Sequence, residues 1–466
     1  MDKSQKEIFL SQMIEQVKEL SVRDVVGSVV DLSQRGQYFF GLCPFHPDHN
    51  LGSFVVTPSK NLWRCFAENI GGGPIQFEMK YYEIPFLEAC FKLALEYGII
   101  TKQERDTYSR RKWDERFVRD VQKSTEKEEK PARQAPAYIC YMVNNAIAAV
   151  CDLSEEHKQH LLTERGLTEE DLKDYFTFPT RRTNLAGRVM DYLEKRLRET
   201  MPPEKAEKYI AETDRELPYV PGFFKNKETG RVDFAANRGI GFVVRDARGH
   251  ALGIQIRRDR VKKGESRYIW FSSSFARAKD NCEGGASPGS PGGVIFPKPS
   301  AKRPAVCITE GRFKAVKIAE KGNIAIYVSG VSTWKKILPI LDSIIADRKK
   351  VYLLFDSDML GNAAVYGQLE ALAEALKERQ LSPVPVMWAI ENGKGFDDLV
   401  NAHPGGYKSL LRYVNFADFK KKYTEALKDT LSAFNAARIR DIKKKDAQTF
   451  AEALQRNMEK IFELKK

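Results

Sequence analysis

Val351-Tyr352-Leu353-Leu354-Phe355-Asp356-Ser357-Asp358 is the stretch on which the reading of the chain turns. A run of large apolar residues that stops at acidic ones predicts a strand buried on both faces. On extended backbone, Asp356 and Asp358 leave the strand end on the same side. An earlier apolar run, Ala305 to Ile308, ends in Thr309-Glu310-Gly311 and is followed by a helical pattern through Ala315, Ile318 and Ala319. If the two strands are parallel neighbours, Glu310 lies beside the aspartates at the carboxyl ends of the sheet, where open α/β sheets bind ligands. Three such carboxylates repel one another unless a cation neutralises them. Asp-Ser-Asp alone would serve equally well as a helix cap or turn. The spaced Glu-Gly favours a divalent-metal site.

Strand-Glu-Gly followed by strand-Asp-x-Asp resembles the Toprim domain of bacterial primases, topoisomerases and some nucleases. The resemblance implies that Glu310, Asp356 and Asp358 hold Mg²⁺ or Mn²⁺ for phosphoryl chemistry, with Asp397 of Gly393-Lys394-Gly395-Phe396-Asp397-Asp398 as a further metal ligand. Replicative primases carry an aspartate four residues after the glutamate. Lys314 stands there instead, to pair with Glu310 or a substrate phosphate.

Residues 38 to 79 hold the densest motif. Cys43 and His46 are spaced as a ligand pair on a turn, while Ser53 to Thr57 and Leu62 to Cys65 read as hairpin strands that end at another cysteine. A Cys-x-x-His knuckle with a cysteine across a small sheet suits tetrahedral zinc. The segment resembles the zinc-binding domain of bacterial replicative primases through Cys43-Pro44-Phe45-His46, Asp48, Ser53-Phe54, Cys65-Phe66 and Gly71-Gly72-Gly73. The family's fourth cysteine falls on Glu68, so the implied zinc ligands are Cys43, His46, Cys65 and Glu68, with His49 as a substitute. A metal-free relic held by the apolar hairpin is the other reading.

Residues 238 to 274 alternate as strands around an Ala-Arg-Gly-His turn, with Arg245, Arg257, Arg258, Arg260 and Arg267 on one face and Tyr268 and Trp270 following. Arginines and aromatics on a sheet grip phosphates and stack bases, or form a solvated face. The segment resembles the basic strand pair of primases, and Arg165-Gly166-Leu167 resembles the step that opens the primase core. The resemblance implies contact with DNA or nucleotide at Arg245, Arg257, Arg267, Tyr268 and Lys314. The family's run after the tyrosine is replaced by Trp270-Phe271-Ser272-Ser273-Ser274.

The chain has 466 residues, 42% apolar and 30% charged, with a formal net charge of +13. That length predicts about three domains. The positive balance favours a polyanionic partner. Seven scattered cysteines, no apolar leader and no long apolar run predict a soluble cytoplasmic protein that neither enters a membrane nor relies on disulfides. The fold class expected is α+β and α/β multidomain. Residues 1–100 form a zinc-ribbon-like domain, 101–136 a charged linker and 137–300 a primase core subdomain with basic strands. Residues 301–410 form the Toprim sheet and 411–466 a basic helical tail.

Together the three motifs resemble a bacterial-type DNA primase, in a divergent phage or mobile-element-like form. The function implied is synthesis of short RNA primers on single-stranded DNA from ribonucleoside triphosphates, with a replicative helicase as a further partner. A Toprim nuclease or defence protein, or a non-catalytic DNA-binding homologue, would use the same residues.

Overall fold

A computed structural model describes residues 3–45, 53–65, 70–109, 113–125, 133–180, 183–261, 266–279, 281–298, 303–436, 442 and 446–464. The chain forms two compact units that meet in sequence near residue 131.

In the N-terminal unit, Ser21 caps the helix Val22–Gly27 by accepting a hydrogen bond from the Asp24 amide. A five-stranded antiparallel meander follows: Ser33–Arg35, Tyr38–Gly41, Phe54–Thr57, Leu62–Cys65 and Ile70–Gly72. The expected hairpin is present, with Phe54 paired to Cys65 on one side and to Gly41 on the other. Trp63, Phe54, Phe45 and Phe77 pack ring to ring at centroid distances of 5.0 to 6.3 Å. Helix Phe86–Glu96 buries Cys90 in the same core. Helices also form at Lys102–Tyr108 and Glu115–Thr125 within the charged stretch. A capping box between Thr101 and Glu104 starts the first of them. Trp113, Phe117 and Val118 pack on the N-terminal core, so this part of the stretch folds with the domain before it.

The second unit holds three sheets. One is antiparallel, in the order Tyr268–Trp270, Ala251–Arg258, Gly239–Arg245, Tyr175–Phe178. A small one joins Cys282–Gly284, Phe223–Asn226 and Val232–Phe234. The largest runs Gly293–Ile295, Ile324–Val328, Val306–Glu310, Lys350–Leu354, Ser382–Met387, Arg412–Tyr413; its four inner strands are parallel and its two edges antiparallel. Strand Val306–Glu310 is followed by its neighbour on one side and the chain then crosses to Lys350–Leu354 on the other, which makes a topological switch point between these two strands. Helices Arg312–Glu320, Ala363–Glu378 and Phe396–Ala402 complete the crossovers. Among the described residues no helix is long and apolar enough to cross a membrane.

The basic C-terminal stretch forms two helices, Phe416–Ala433 and Ala447–Ile461. Their apolar faces place Phe419, Tyr423, Leu454 and Met458 in one core with Phe355, Met359, Leu360 and Leu369.

The antiparallel and parallel sheets are joined through Arg312, which is only 7% exposed. Its guanidinium donates to the Tyr175 hydroxyl (3.1 Å), the Val243 carbonyl (2.9 Å), the Tyr327 hydroxyl (3.3 Å) and Asp174 (3.0 Å). Losing one member of a buried network leaves the remaining groups desolvated without a partner. Arg312→Leu is expected to lower the stability of the second unit by about 3 kcal/mol, read as a lower urea midpoint at an unchanged slope.

Candidate acidic site at the carboxyl end of the parallel sheet

Glu310 ends its strand one position beyond the pair Thr309 and Leu354. Gly311 follows with φ of +81°, a left-handed conformation that frees the chain to turn directly into helix Arg312–Glu320. In that first turn Arg312 is buried between the sheets, and Lys314 comes over Asp356, with Nζ 2.6 Å from Oδ1. The acids are therefore not without cations, and the partner of Lys314 is Asp356 rather than Glu310.

The backbone at Asp356 to Asp358 also differs from the extended form expected. The strand ends at Leu354, and Ser357–Gly361 is one turn of 3₁₀ helix. Asp356 occupies the N-cap position without accepting a capping hydrogen bond. Ser357, 1% exposed, explains the bend. Its hydroxyl donates to the Gly393 and Lys394 carbonyls, each at 3.1 Å, and its amide donates to the Lys394 carbonyl at 2.8 Å. This clip brings Lys394 to Asp358 (2.7 Å) and, more distantly, to Asp356 (4.0 Å).

From behind, the C-terminal helix braces both loops. Gln455 donates to the Ser357 carbonyl at 3.1 Å, and Glu459 accepts from the Ile390 amide at 3.0 Å. Gln455 and Glu459 bond each other and are 8% and 2% exposed. Nothing in the basic, helical composition of this segment signals that role. A Gln and a Glu four apart on an apolar helix face are the only trace.

Partial burial pushes the Glu310 carboxyl up to about 7, with Lys314 and Lys394 opposing and Asp356 and Asp358 adding to the rise. Burial also raises Asp397, against the pull of Lys314 and Arg165. For Lys314 burial works downward, but attraction to Asp356 and Glu310 outweighs it and leaves the ammonium more basic than usual.

Arg165, in the sequence only part of a connecting step, arrives beside the acids through packing. It lies 3.7 Å from Asp397 and covers the face of Phe313. The step is held in place by Lys317, which donates to the Gly166 carbonyl. Arg257 pairs across strands with Tyr268; burial lowers its basicity, and the charges of Arg165 and Arg267 lower it further. The Nε atoms of Arg165 and Arg257 are buried without a hydrogen-bond partner. Arg165 thus connects this group of arginines to Asp397. Arg245 is not among them. It lies at the opposite end of the hairpin, bonded to Asp174, Asn145 and the Gly249 carbonyl. Arg257 and Arg258 are adjacent in one strand, so they alternate between its faces instead of sharing one.

Of the expected zinc ligands, Cys43 and Cys65 are buried on either side of strand Phe54–Thr57, whereas His46, His49 and Glu68 lie outside the described residues.

Among the described residues no three His, Cys, Asp or Glu side chains converge closely enough to hold a metal ion as they stand. The donors are nonetheless the hard oxygens a magnesium- or manganese-type cation takes, and two of the three carboxylates are engaged by ammonium groups. The set suits a divalent cation once an ammonium yields its carboxylate.

Residues 9–109 match the CHC2 zinc finger family, and residues 300–406 match a domain of unknown function, DUF3854. The chain is 24% identical over 395 residues to a DNA primase of Geobacillus stearothermophilus, covering 83% of this chain and 57% of that protein. It is 23% identical over 369 residues to a DNA primase of Lactococcus lactis, covering 77% and 49%. It spans about half the length of these curated relatives. Among solved structures, the zinc-binding and RNA polymerase domains of Aquifex aeolicus primase align over 97% of both chains at 18% identity and a TM-score of 0.40. The chain thus joins an N-terminal unit similar to CHC2 zinc fingers to an α/β unit with acids at the carboxyl end of its parallel sheet. In sequence the chain is similar to bacterial DNA primases.

A raised carboxyl has a consequence for stability. Between pH 4.5 and about 7 native Glu310 keeps a proton that the unfolded chain has released, so stability falls as pH rises through that window. In metal-free protein, Glu310→Gln should raise stability at pH 8 by about 1–2 kcal/mol and change it little at pH 4.5, measured by thermal unfolding at both values.

Proposed function

We propose that the protein is a DNA-directed RNA primase, in which the 3′-hydroxyl of a ribonucleotide attacks the α-phosphate of an incoming nucleoside triphosphate and pyrophosphate leaves. The observation that carries this is the abutment of two charge clusters. Arg165, Arg257 and Arg267 form a seat for phosphates, and Arg165 reaches Asp397 beside the carboxylates of Glu310, Asp356 and Asp358. Nucleotidyl transfer needs such a pair of environments, one that gathers a polyanion and one that tolerates concentrated positive charge at the reacting phosphate.

Glu310, Asp356 and Asp358 would hold a magnesium or manganese ion, whose chemistry is to acidify the attacking hydroxyl and balance charge on the leaving group. Arg257 and Arg267 neutralise the triphosphate and the template backbone, and Tyr268, across from Arg257, offers a ring for a base. The N-terminal unit holds single-stranded template, with zinc bound by Cys43, His46, Cys65 and Glu68. Oxygen from Glu68 binds more weakly than a fourth thiolate, so this zinc should be released by mild chelation, and Cys65→Ser should retain none by elemental analysis.

The reading is tested by primer synthesis on mixed-sequence single-stranded DNA with labelled ribonucleotides and Mg²⁺ or Mn²⁺. Short RNA products are expected, reduced by at least about 100-fold in Asp356→Asn and Glu310→Gln. Arg257→Ala should weaken template binding and flatten its salt dependence by about one unit of slope. A template shortened rather than copied would replace the primase with a nuclease, and DNA retained equally without metal would replace it with a binding protein.

A further inference from the structure

Lys314 is a cation placed where local physics favours an anion. It is the third residue of helix Arg312–Glu320, at the end whose amide dipoles repel positive charge. It is held there regardless. Its Nζ lies 2.6 Å from Asp356 Oδ1, and its side chain is 18% exposed. The loop above lies close over it: a Cβ on Gly395 would stand 2.8 Å from Lys314 Cε and 2.4 Å from Asp397 Oδ1. Lys394 is a different kind of neighbour. Its side chain is 59% exposed, and it can leave Asp358, itself 46% exposed, for water without unpacking anything.

We infer that Lys314 is a permanent internal cation that stands in for one divalent ion, so that the site admits a single divalent cation, with Lys394 as the group displaced. With Lys394 swung out, Asp356 stays paired with Lys314 and Asp397 with Arg165, which leaves Glu310 and Asp358 to balance one divalent ion. A second divalent ion would leave two uncompensated positive charges in a partly buried place, which is costly. The inference rests on the reading of these acids as a cation site, but not on what reaction they serve.

Manganese binding to the zinc-loaded full chain tests it, counted by the loss of the free Mn²⁺ electron paramagnetic resonance signal. The Asp356→Asn, Asp358→Asn double variant is the blank. One ion per chain above the blank is expected for the wild type, and two for Lys314→Asp. Lys314→Met, close in volume, should also take two and covers the case in which the aspartate variant does not fold, judged by circular dichroism. Lys394→Met should keep one ion and bind it about 10-fold more tightly, since no ammonium has to be displaced. Two ions or none in the wild type, or a count of one in both Lys314 variants, would overturn the inference. The predicted counts together with absent primer synthesis would leave it standing and remove the primase reading instead.

Discussion

Where the Arg312 guanidinium is held decides where everything at the acidic site stands. Four hydrogen bonds from one buried side chain tie the antiparallel sheet to the parallel one and fix the first turn of the helix after Glu310. With Arg312 directed into the interior, Lys314, two residues on, is carried to the other side of that turn and over Asp356. Asp174 accepts from both Arg312 and Arg245, so the same anchor also claims an arginine that composition alone would assign to a ligand.

The site concentrates charge of both signs in a small, partly dry volume, and each sign makes the other tolerable. Burial alone drives Glu310 and Asp397 toward their neutral forms, and the lysines and Arg165 oppose that drift. The arginine side is less well compensated. Arg257 loses basicity to burial and to its like-charged neighbours, and two guanidinium Nε atoms are buried without a partner. A folded protein retains such a cost where a ligand removes it, which sets these arginines apart from an ordinary solvated sheet face.

The C-terminal helices show how a segment with no chemistry of its own can belong to a site. Their apolar residues complete the core behind the Asp356 strand, and Gln455 and Glu459 satisfy backbone groups in the two loops that carry Asp358 and Lys394. Loops otherwise free to shift are thereby held to a single arrangement.

Much of this architecture is written in local sequence. Apolar runs ending in Glu310 and Asp356, the Ser21 cap, the Leu62 to Cys65 strand and the Ala-Arg-Gly-His turn each depend on neighbours in the chain, and each is legible there. That Glu310 and Asp356, forty-six residues apart, end neighbouring parallel strands was equally legible. The pairing of Lys314 with Asp356, the bend imposed by Ser357, the arrival of Arg165, the removal of Arg245 and the bracing by Gln455 were not. These depend on which surfaces come together across 36 to 232 residues of chain, and on which buried charges must then be neutralised. Sequence period determines which way a side chain faces, while only packing determines what it meets there.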